Sequence, residues 1–463
     1  MDKNYINRVL WLVLATIATL IGAFFLPDVS IGNLELRRVD LLADLRSIDA
    51  DSDYSATSIL LDSATMKRKA EFVDSCKSRM TCIEDYSFDN RGMEPFYEAL
   101  INAASLNRPV RIAVLGDSFI EGDILTADLR NMLQDRYGGC GVGFVATASE
   151  IAGFRRSVIH RFGGWRAFSS VGGSPYNRSF GIISGHYFYP DSAAWTSLTG
   201  QRKYCSHLDS CFQSSLFFLA ADSCRIKASI NGGTKIRDFN VAPSPDIQCL
   251  TVADSIHSIR WRTANRGRNF IFYGATMEGN GGIVLDNFSL RSSPGSNLGY
   301  IHSDMLRKFD RVRHYDLVIL VYGLNVATPN GVNYNKYMKS MCKAIDNMKE
   351  CMPGTGFLLM SLGDRNERIN GSMRTMKGVK NLIKYQQAIA AESGIAFWNL
   401  FEAMGGEGSM AEMVAAKEAN LDYTHINFRG GKKLARLLFD AMEYGKEQYL
   451  RRKAFNDGKE VSQ

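Results

Sequence analysis

The stretch Val110-Arg-Ile-Ala-Val-Leu-Gly-Asp-Ser118 decides how this chain is interpreted. It is a short apolar run, rich in β-formers, that stops at Gly116, as is typical of a buried parallel strand. Residues 123–137 follow with apolar side chains at helical spacing and end at a glycine pair. This strand, turn and helix place Asp117 and Ser118 at the carboxyl end of a strand, where open α/β sheets bind ligands.

A serine at such a turn is well placed as a nucleophile. Backbone N–H groups of the turn and of the helix N-terminus favour developing negative charge. The alternative is a purely structural role, in which Asp117 and Ser118 only cap the helix, since both residue types are common N-caps. A nucleophilic serine also needs an oriented base.

The segment Asp422-Tyr-Thr-His425 supplies a candidate base just before the last predicted helix. Its three-residue spacing lets the carboxylate reach one imidazole nitrogen while the other nitrogen faces outward. The alternative is a surface histidine beside a turn. His186, His257, His302 and His314 lack such a neighbouring setting, so His425 is the candidate base.

A third segment, Gly323-Leu-Asn325, ends the buried run 316–322. The Asn325 amide can donate to an oxyanion, and Gly323 allows close backbone approach. A turn residue that accepts left-handed geometry is the alternative. All three segments lie at the ends of strands or loops, in the order that a serine hydrolase requires. This common arrangement favours a shared catalytic role over three unrelated structural roles.

Together, Gly116-Asp117-Ser118, Gly323-x-Asn325 and Asp422-x-x-His425 resemble blocks I, III and V of the SGNH (GDSL-type) hydrolases. The run from Gly116 to Thr126, with Gly141-Val-Gly-Phe144 beyond it, is similar to bacterial peptidoglycan O-acetylesterases and related exported carbohydrate esterases. Those proteins also carry a β-sandwich insert within the catalytic domain.

This resemblance implies a role for each matching residue. Ser118 would be the nucleophile, His425 the general base and Asp422 the carboxylate that orients it. The Ser118 N–H and Asn325 would form the oxyanion hole. Gly295 is assigned as its third donor, although its surroundings depart from the family's usual block II pattern.

The distribution of strand-like and helical segments along the chain predicts an α/β fold. From about 150 to 285, short strand-like runs alternate with Gly, Ser, Asn and Pro turns, which predicts an inserted β-sandwich. Strands alternating with helices follow, which predicts a parallel sheet covered on both faces. The predicted fold is therefore an SGNH-type parallel sheet flanked by helices, split by an all-β sandwich and preceded by a transmembrane helix. The predicted divisions are an anchor at 1–27, a stalk and packing segment at 28–104, the SGNH domain at 105–150 and 286–463, and the insert at 151–285.

Aromatic residues of the insert are candidate sugar contacts, because aromatic faces stack on sugar rings; a role in the sandwich core is the alternative. The residues concerned are Trp165, Tyr187, Tyr189 and Trp195.

The N-terminus predicts export. Val9 to Leu26 is free of charge and follows Lys3 and Arg8, which predicts an uncleaved anchor with the remainder outside the cytoplasm. A cleaved signal peptide is the alternative. Nine cysteines fit an oxidising compartment, and sequence proximity allows four pairs that leave Cys140 over; the alternative is that several are buried thiols. The candidate pairs are Cys76/Cys82, Cys205/Cys211, Cys224/Cys249 and Cys342/Cys351.

The overall composition limits the classes of molecule that this protein is expected to bind. The formal charge of 55 − 48 = +7 comes without a basic run of five residues, which disfavours nucleic acid as a partner. Neither a metal nor an organic cofactor is expected. We therefore expect an exported, inner-membrane-anchored serine esterase that removes O-acetyl groups from a cell-envelope or other polysaccharide. The alternatives are a polysaccharide O-acetyltransferase with the same triad, working beside a membrane acyltransferase, and a non-catalytic glycan-binding protein.

Overall fold

The structure of the protein is a computed structural model that describes residues 11, 29–31, 34–36, 75–172 and 175–460. The chain divides into two compact units, 1–55 and 56–463. Apart from Trp11, the predicted anchor at 9–26 lies outside the described residues. Within the described part of the chain, no helix has both the length and the apolar character needed to span a bilayer.

Strands make up much of the described structure. In chain order they are β1 (Val29–Ile31), β2 (Leu34–Leu36), β3 (Glu84–Asp85), β4 (Val110–Gly116), β5 (Gly143–Ala146), β6 (Val158–Ser169), β7 (His186–Gly200), β8 (Cys211–Ala220), β9 (Cys224–Ile230), β10 (Lys235–Val241), β11 (Gln248–Ile256), β12 (Ser258–Thr263), β13 (Phe270–Met277), β14 (Ile283–Ser289), β15 (Leu317–Val321), β16 (Gly356–Met360), β17 (Asn366–Ile369), β18 (Ser372–Thr375) and β19 (Ala396–Trp398).

The α-helices are concentrated at the two ends of the second unit. They are α1 (Glu94–Ile101), α2 (Thr126–Tyr137), α3 (Ser303–Val312), α4 (Asn335–Cys351), α5 (Lys377–Glu392), α6 (Leu400–Met404), α7 (Ser409–Ala415) and α8 (Phe428–Glu460).

A six-stranded sheet forms the centre of the α/β part, in the order β14-β4-β15-β16-β19-β3. All its neighbours pair in parallel except β3, which is antiparallel to β19. Side chains of β4 alternate between two hydrophobic clusters. Ile112 and Val114 join the cluster that contains α1, α2 and α8, whereas Ala113 and Leu115 join the one that contains α3 and α4. Both faces are therefore buried, as the apolar run of β4 predicts.

A nine-stranded antiparallel sheet lies between β4 and β14 in sequence. Its order is β10-β9-β12-β7-β13-β8-β11, with β5 beside β13 and β6 beside β7. Trp261 on β12 donates its indole N–H to Ser214 Oγ on β8 at 2.9 Å, although two strands separate β12 and β8 in the sheet. The sheet therefore folds over on itself around a buried core. The predicted domain boundaries stay predictions. The second part of the predicted SGNH domain begins at 286, whereas β14, which pairs with β4, begins three residues earlier, at Ile283.

The aromatics proposed as sugar contacts lie largely in the interior of this sheet. Tyr187 and Tyr189 are buried, and Tyr187 stacks on Phe168 with ring centroids 5.1 Å apart. Trp165 is half-buried and donates its indole N–H to the Trp195 carbonyl at 2.9 Å. The two tyrosines therefore belong to the core of the sheet, because neighbouring rings cover their faces. The prediction that they contact sugar is wrong.

The cysteines pair less than their spacing allows. Cys76 and Cys82 form a disulfide, whereas both members of the other three candidate pairs are free thiols. Cys211 lies close to Cys140, the cysteine left over by the predicted scheme: a Cβ on neighbouring Gly141 would be 2.9 Å from Cys211 Sγ. Folding places β8 beside the α2–β5 connection, which proximity in sequence does not reveal.

A buried ionic cluster joins the two sheets. Arg313, after α3, donates to Asp286 on β14 at 2.6 and 2.9 Å and to Glu278 at 2.8 Å. Asp286 also accepts the backbone N–H of Phe144 on β5 at 2.7 Å and the hydroxyl of Tyr315. Burial opposes ionisation of Asp286, but the Arg313 guanidinium holds its pKa below the ordinary value. The cluster therefore fixes β14 to the edge of the nine-stranded sheet.

Arg313→Ala should destabilise the fold by about 3–5 kcal/mol, because it leaves the buried Asp286 carboxylate without a counter-charge and Glu278 with Arg111 alone, at 3.3 Å. Denaturant unfolding measures this loss. Arg311→Ala is the matched control: Arg311 is 61% exposed and pairs with Asp246 at the surface, so its loss should cost no more than about 0.5 kcal/mol. Equal costs for the two variants would contradict a structural role for the cluster.

Candidate active site

The turn after β4 presents Ser118 at the carboxyl edge of the parallel sheet. β4 ends at Gly116, where a Cβ would lie 2.7 Å from the Val321 carbonyl oxygen of neighbouring β15, so a side chain there would push the two strands apart. Asp117 caps the short 3-10 helix Ser118–Asp123 by accepting the Phe119 N–H at 2.9 Å. The capping interpretation is thus correct for Asp117, and it leaves Ser118 as the first residue of the helix.

Asp117 also faces the loop after β15. Its carboxyl is 1% exposed, and burial raises its pKa to about 6, opposed by the backbone N–H groups of Phe119 and Leu324. The Asp117 carboxyl is therefore bonded to the Ser118 turn and lies close to the segment that carries Asn325.

A second buried carboxylate fixes the far end of the Ser118 turn. Asp123 has a left-handed backbone (φ 67°) and is fully buried. It accepts bonds from Arg155 at 2.9 Å, Arg130 at 3.3 Å and the Ser157 hydroxyl. Burial opposes its ionisation, yet the two guanidinium groups hold its pKa below the ordinary value. Because Arg155 and Ser157 lie in the β5–β6 connection, this segment is anchored directly to the Ser118 turn.

The loop before α8 holds His425 in one orientation. Asp422 accepts the backbone N–H groups of Thr424 and His425, each at 3.0 Å, through Oδ1. Its Oδ2 lies 2.8 Å from His425 Nδ1. Burial opposes ionisation of Asp422, but these backbone and imidazole hydrogen bonds keep its pKa below the ordinary value. A carboxylate at Nδ1 favours the tautomer with its proton on Nδ1 and leaves Nε2 as an acceptor.

Ser118, His425 and Asp422 form one hydrogen-bonded line. Ser118 Oγ lies 3.0 Å from His425 Nε2, across 307 positions of sequence. The imidazole is 35% exposed, and the Asp422 carboxylate is 49% exposed. The hydroxyl can therefore give its proton to an imidazole that is oriented from behind and reachable from solvent. The catalytic roles of the three residues stay a prediction.

Asn325 lies in the loop after β15, four positions beyond the last residue of that strand. Its Nδ2 donates to the Ser293 carbonyl at 3.1 Å, which leaves the amide's second N–H for another acceptor. Arg365, after β16, donates to the neighbouring Leu324 carbonyl at 3.1 Å. The backbone N–H of Asn366 bonds to Tyr423 in the His425 loop at 3.1 Å. The loops after β15 and β16 and the loop before α8 therefore meet at this edge.

Gly295 does not offer the donor that the sequence assigned to it. It is buried, and its N–H already donates to Ser293 Oγ at 3.2 Å. Ser292, in the same loop after β14, is exposed and has a left-handed backbone (φ 64°) of the kind that favours glycine. Within 75–172 and 175–460, no acceptor is bonded to its N–H. The Ser292 N–H is therefore a candidate donor in this loop, whereas the Gly295 N–H is already bonded.

The sequence did not single out Ser292 or Arg365. Because β14 was not recognised as a strand that ends at Ser289, Gly295 was chosen in this loop and not a residue nearer the strand end. The backbone bond from Leu290 to the Gly116 carbonyl, 2.8 Å, shows that the loop runs alongside the Ser118 turn. The sequence did offer one signal for Arg365, which is its position just after a predicted buried strand.

The fold is similar to that of a solved peptidoglycan O-acetylesterase, with a TM-score of 0.65 and 21% identity over 79% of this chain and 99% of that one. An acetyl xylan esterase matches with a TM-score of 0.26, 17% identity, and 34% and 81% coverage. A family two carbohydrate esterase from Clostridium thermocellum matches with a TM-score of 0.26, 8% identity, and 61% and 100% coverage. Of these three, the first alone bears on the fold. It confirms the predicted resemblance at the level of architecture. No protein-family model and no curated protein sequence matches the chain.

Proposed function

We propose that this protein is an SGNH-type serine esterase that removes O-acetyl groups from a polysaccharide. The observation that carries the proposal is the line from Ser118 through His425 to Asp422 at the carboxyl edge of a parallel sheet. The shared fold with a peptidoglycan O-acetylesterase supports an acetylated cell-envelope glycan as the substrate class.

In the first half-reaction, Ser118 Oγ attacks the acetyl carbonyl carbon while its proton passes to His425 Nε2. The new imidazolium is stabilised by Asp422. The negative charge on the former carbonyl oxygen is stabilised by the Ser118 N–H and the free N–H of Asn325, with the N–H of Ser292 as third donor. Collapse breaks the ester bond, and the imidazolium gives its proton to the departing sugar oxygen.

In the second half-reaction, water attacks the acetyl-Ser118 ester. His425 takes the water proton, and acetate leaves as the proton returns to Ser118 Oγ. The same donors stabilise the second tetrahedral intermediate. None of these steps requires a metal or an organic cofactor.

Ser118→Ala should lower hydrolysis of a chromogenic acetate by about 10³-fold or more, because it removes the attacking oxygen. His425→Ala should be similarly damaging and Asp422→Asn somewhat less so. The assay uses the full-length chain in detergent, with thermal melting to verify the fold. His207→Ala is the matched control, since His207 pairs with Asp135 at 2.6 Å at the surface and outside the proposed triad. Near-normal turnover by folded Ser118→Ala would sink the assignment.

Asn325→Ala should lower kcat by about 10²–10³-fold with little change in KM, because its amide contributes only once the oxyanion develops. Steady-state kinetics on the chromogenic acetate separate the two constants. Asn330→Ala, an exposed asparagine of the same loop, should behave as wild type. If Asn325→Ala raised KM alone, Asn325 would be a substrate contact and not an oxyanion donor.

We further propose that the enzyme works outside the cytoplasm, attached to the inner membrane by the apolar stretch at 9–26. The chemistry agrees with this location, since an acyl-enzyme that reacts with water needs no cytosolic acyl donor. A periplasm-active reporter fused after residue 463 should be active in intact cells and fractionate with membranes. A reporter active only in the cytoplasm would overturn the location, and a freely soluble exported product would overturn the anchor alone.

A further inference from the structure

Beside the Ser118–His425 pair lies a small exposed patch that the proposed chemistry does not use. Phe154, Arg156 and Tyr204 come from connections of the nine-stranded sheet, and Phe428 is the first residue of α8. Phe154 and Tyr204 are each 48% exposed, and Arg156 is exposed as well. We call these four side chains the aromatic shelf.

The aromatic shelf borders the active site from two directions. Phe154 lies so close to the Ser118 turn that a Cβ on Gly122 would be 2.3 Å from its ring. Phe428 follows His425 by three positions, and its ring centroid is 5.5 Å from that of Phe154. A ligand whose ester reaches Ser118 therefore passes close to these rings.

Stacking holds the Arg156 guanidinium on the shelf. It lies 3.6 Å from the centroid of Phe428 and 5.2 Å from that of Tyr204. A guanidinium stacked on an aromatic face keeps its N–H donors along its edge, where they match both oxygens of a carboxylate. The shelf thus offers flat apolar faces and a directional cation together.

The positive charge of the shelf is not neutralised. Neighbouring Arg155 is paired with Asp123 and Arg202 with Asp209, the latter at 3.3 Å. By contrast, Arg156 and Lys203 have no carboxylate within salt-bridge distance in the described part of the chain, and Lys203 lies 5.3 Å from the Tyr204 centroid. The local field therefore favours an anionic ligand over a neutral one.

We propose that the aromatic shelf is a subsite for a carboxylate-bearing sugar of the polysaccharide, one that lies next to the acetylated residue; this rests on the esterase function proposed above. The apolar face of the sugar ring packs on Phe154 and Tyr204, and its carboxylate pairs with Arg156. An anionic glycan is favoured over an apolar partner surface because the cation occupies the middle of the patch, between Phe428 and Tyr204.

Binding to a Ser118→Ala parent tests the subsite without turnover. The probes are polygalacturonate, whose sugars carry carboxylates, and neutral glucomannan, with calorimetry on the full-length protein in detergent. We expect the parent to bind polygalacturonate more tightly, and Arg156→Gln to raise that Kd by about tenfold through loss of the charged contact. Phe154→Ala should weaken binding of both glycans, because ring packing does not depend on charge.

Two matched variants control for general effects of these changes. Arg260→Gln removes an arginine stacked on Trp195 at 4.7 Å, and Phe212→Ala removes a phenylalanine that is 60% exposed on β8. Both should bind as the parent does, and melting temperatures establish that every variant is folded. An unchanged Kd for polygalacturonate in folded Arg156→Gln would overturn the subsite, as would an equal loss in Arg260→Gln.

The outcome for the subsite is separable from that for the esterase. If wild type hydrolyses no acetyl ester but polygalacturonate binding depends on Arg156, the esterase proposal fails and the subsite stands. If acetyl esters are hydrolysed and binding is indifferent to Arg156 and Phe154, the subsite fails and the esterase stands.

Discussion

The buried carboxylate of Asp286 is the contact on which the arrangement of the two sheets depends. It binds Arg313 and Tyr315 and also accepts the Phe144 N–H, so β14 of the parallel sheet and β5 of the antiparallel sheet meet at one charge. A carboxylate buried at this depth is tolerated only when its counter-charge and hydrogen bonds are all present. Any shift of one sheet against the other would break several of these bonds together.

The loops that leave these two strands are both tied to the Ser118 turn. β14 leads into the Ser292 loop, which bonds to Gly116 and Asn325. β5 leads into the segment that carries Phe154 and Arg156, which is tied to the Ser118 turn through Asp123. The inserted sheet is therefore bonded directly to the Ser118 turn, as the proposed subsite requires.

The buried and the exposed carboxylates of this structure have different hydrogen-bond partners. Asp123 and Asp286 are fully buried and compensated by guanidinium groups, which suits parts that must stay fixed. Asp422 is half exposed and accepts hydrogen bonds from His425 and from backbone N–H groups, which suits the change in imidazole protonation that the proposed mechanism requires. Arg156 of the aromatic shelf and neighbouring Lys203 have no such partners among the described residues and are exposed to solvent.

The sequence by itself determined the strand–turn–helix around Ser118, the Asn325 and Asp422–His425 segments, and the β-rich texture between β4 and β14, because apolar periodicity and turn residues are local signals. It did not reveal β14, and Gly295 was chosen although its N–H is bonded to Ser293 Oγ. It also treated Tyr187 and Tyr189 as sugar contacts, since alternation within a strand does not say which face another layer covers. It did not bring Phe154 and Arg156 together with Phe428, because these segments meet only in the folded chain. Only the tertiary structure decided these points: hydrogen bonds between residues hundreds of positions apart, such as Ser118 with His425, depend on how the layers pack.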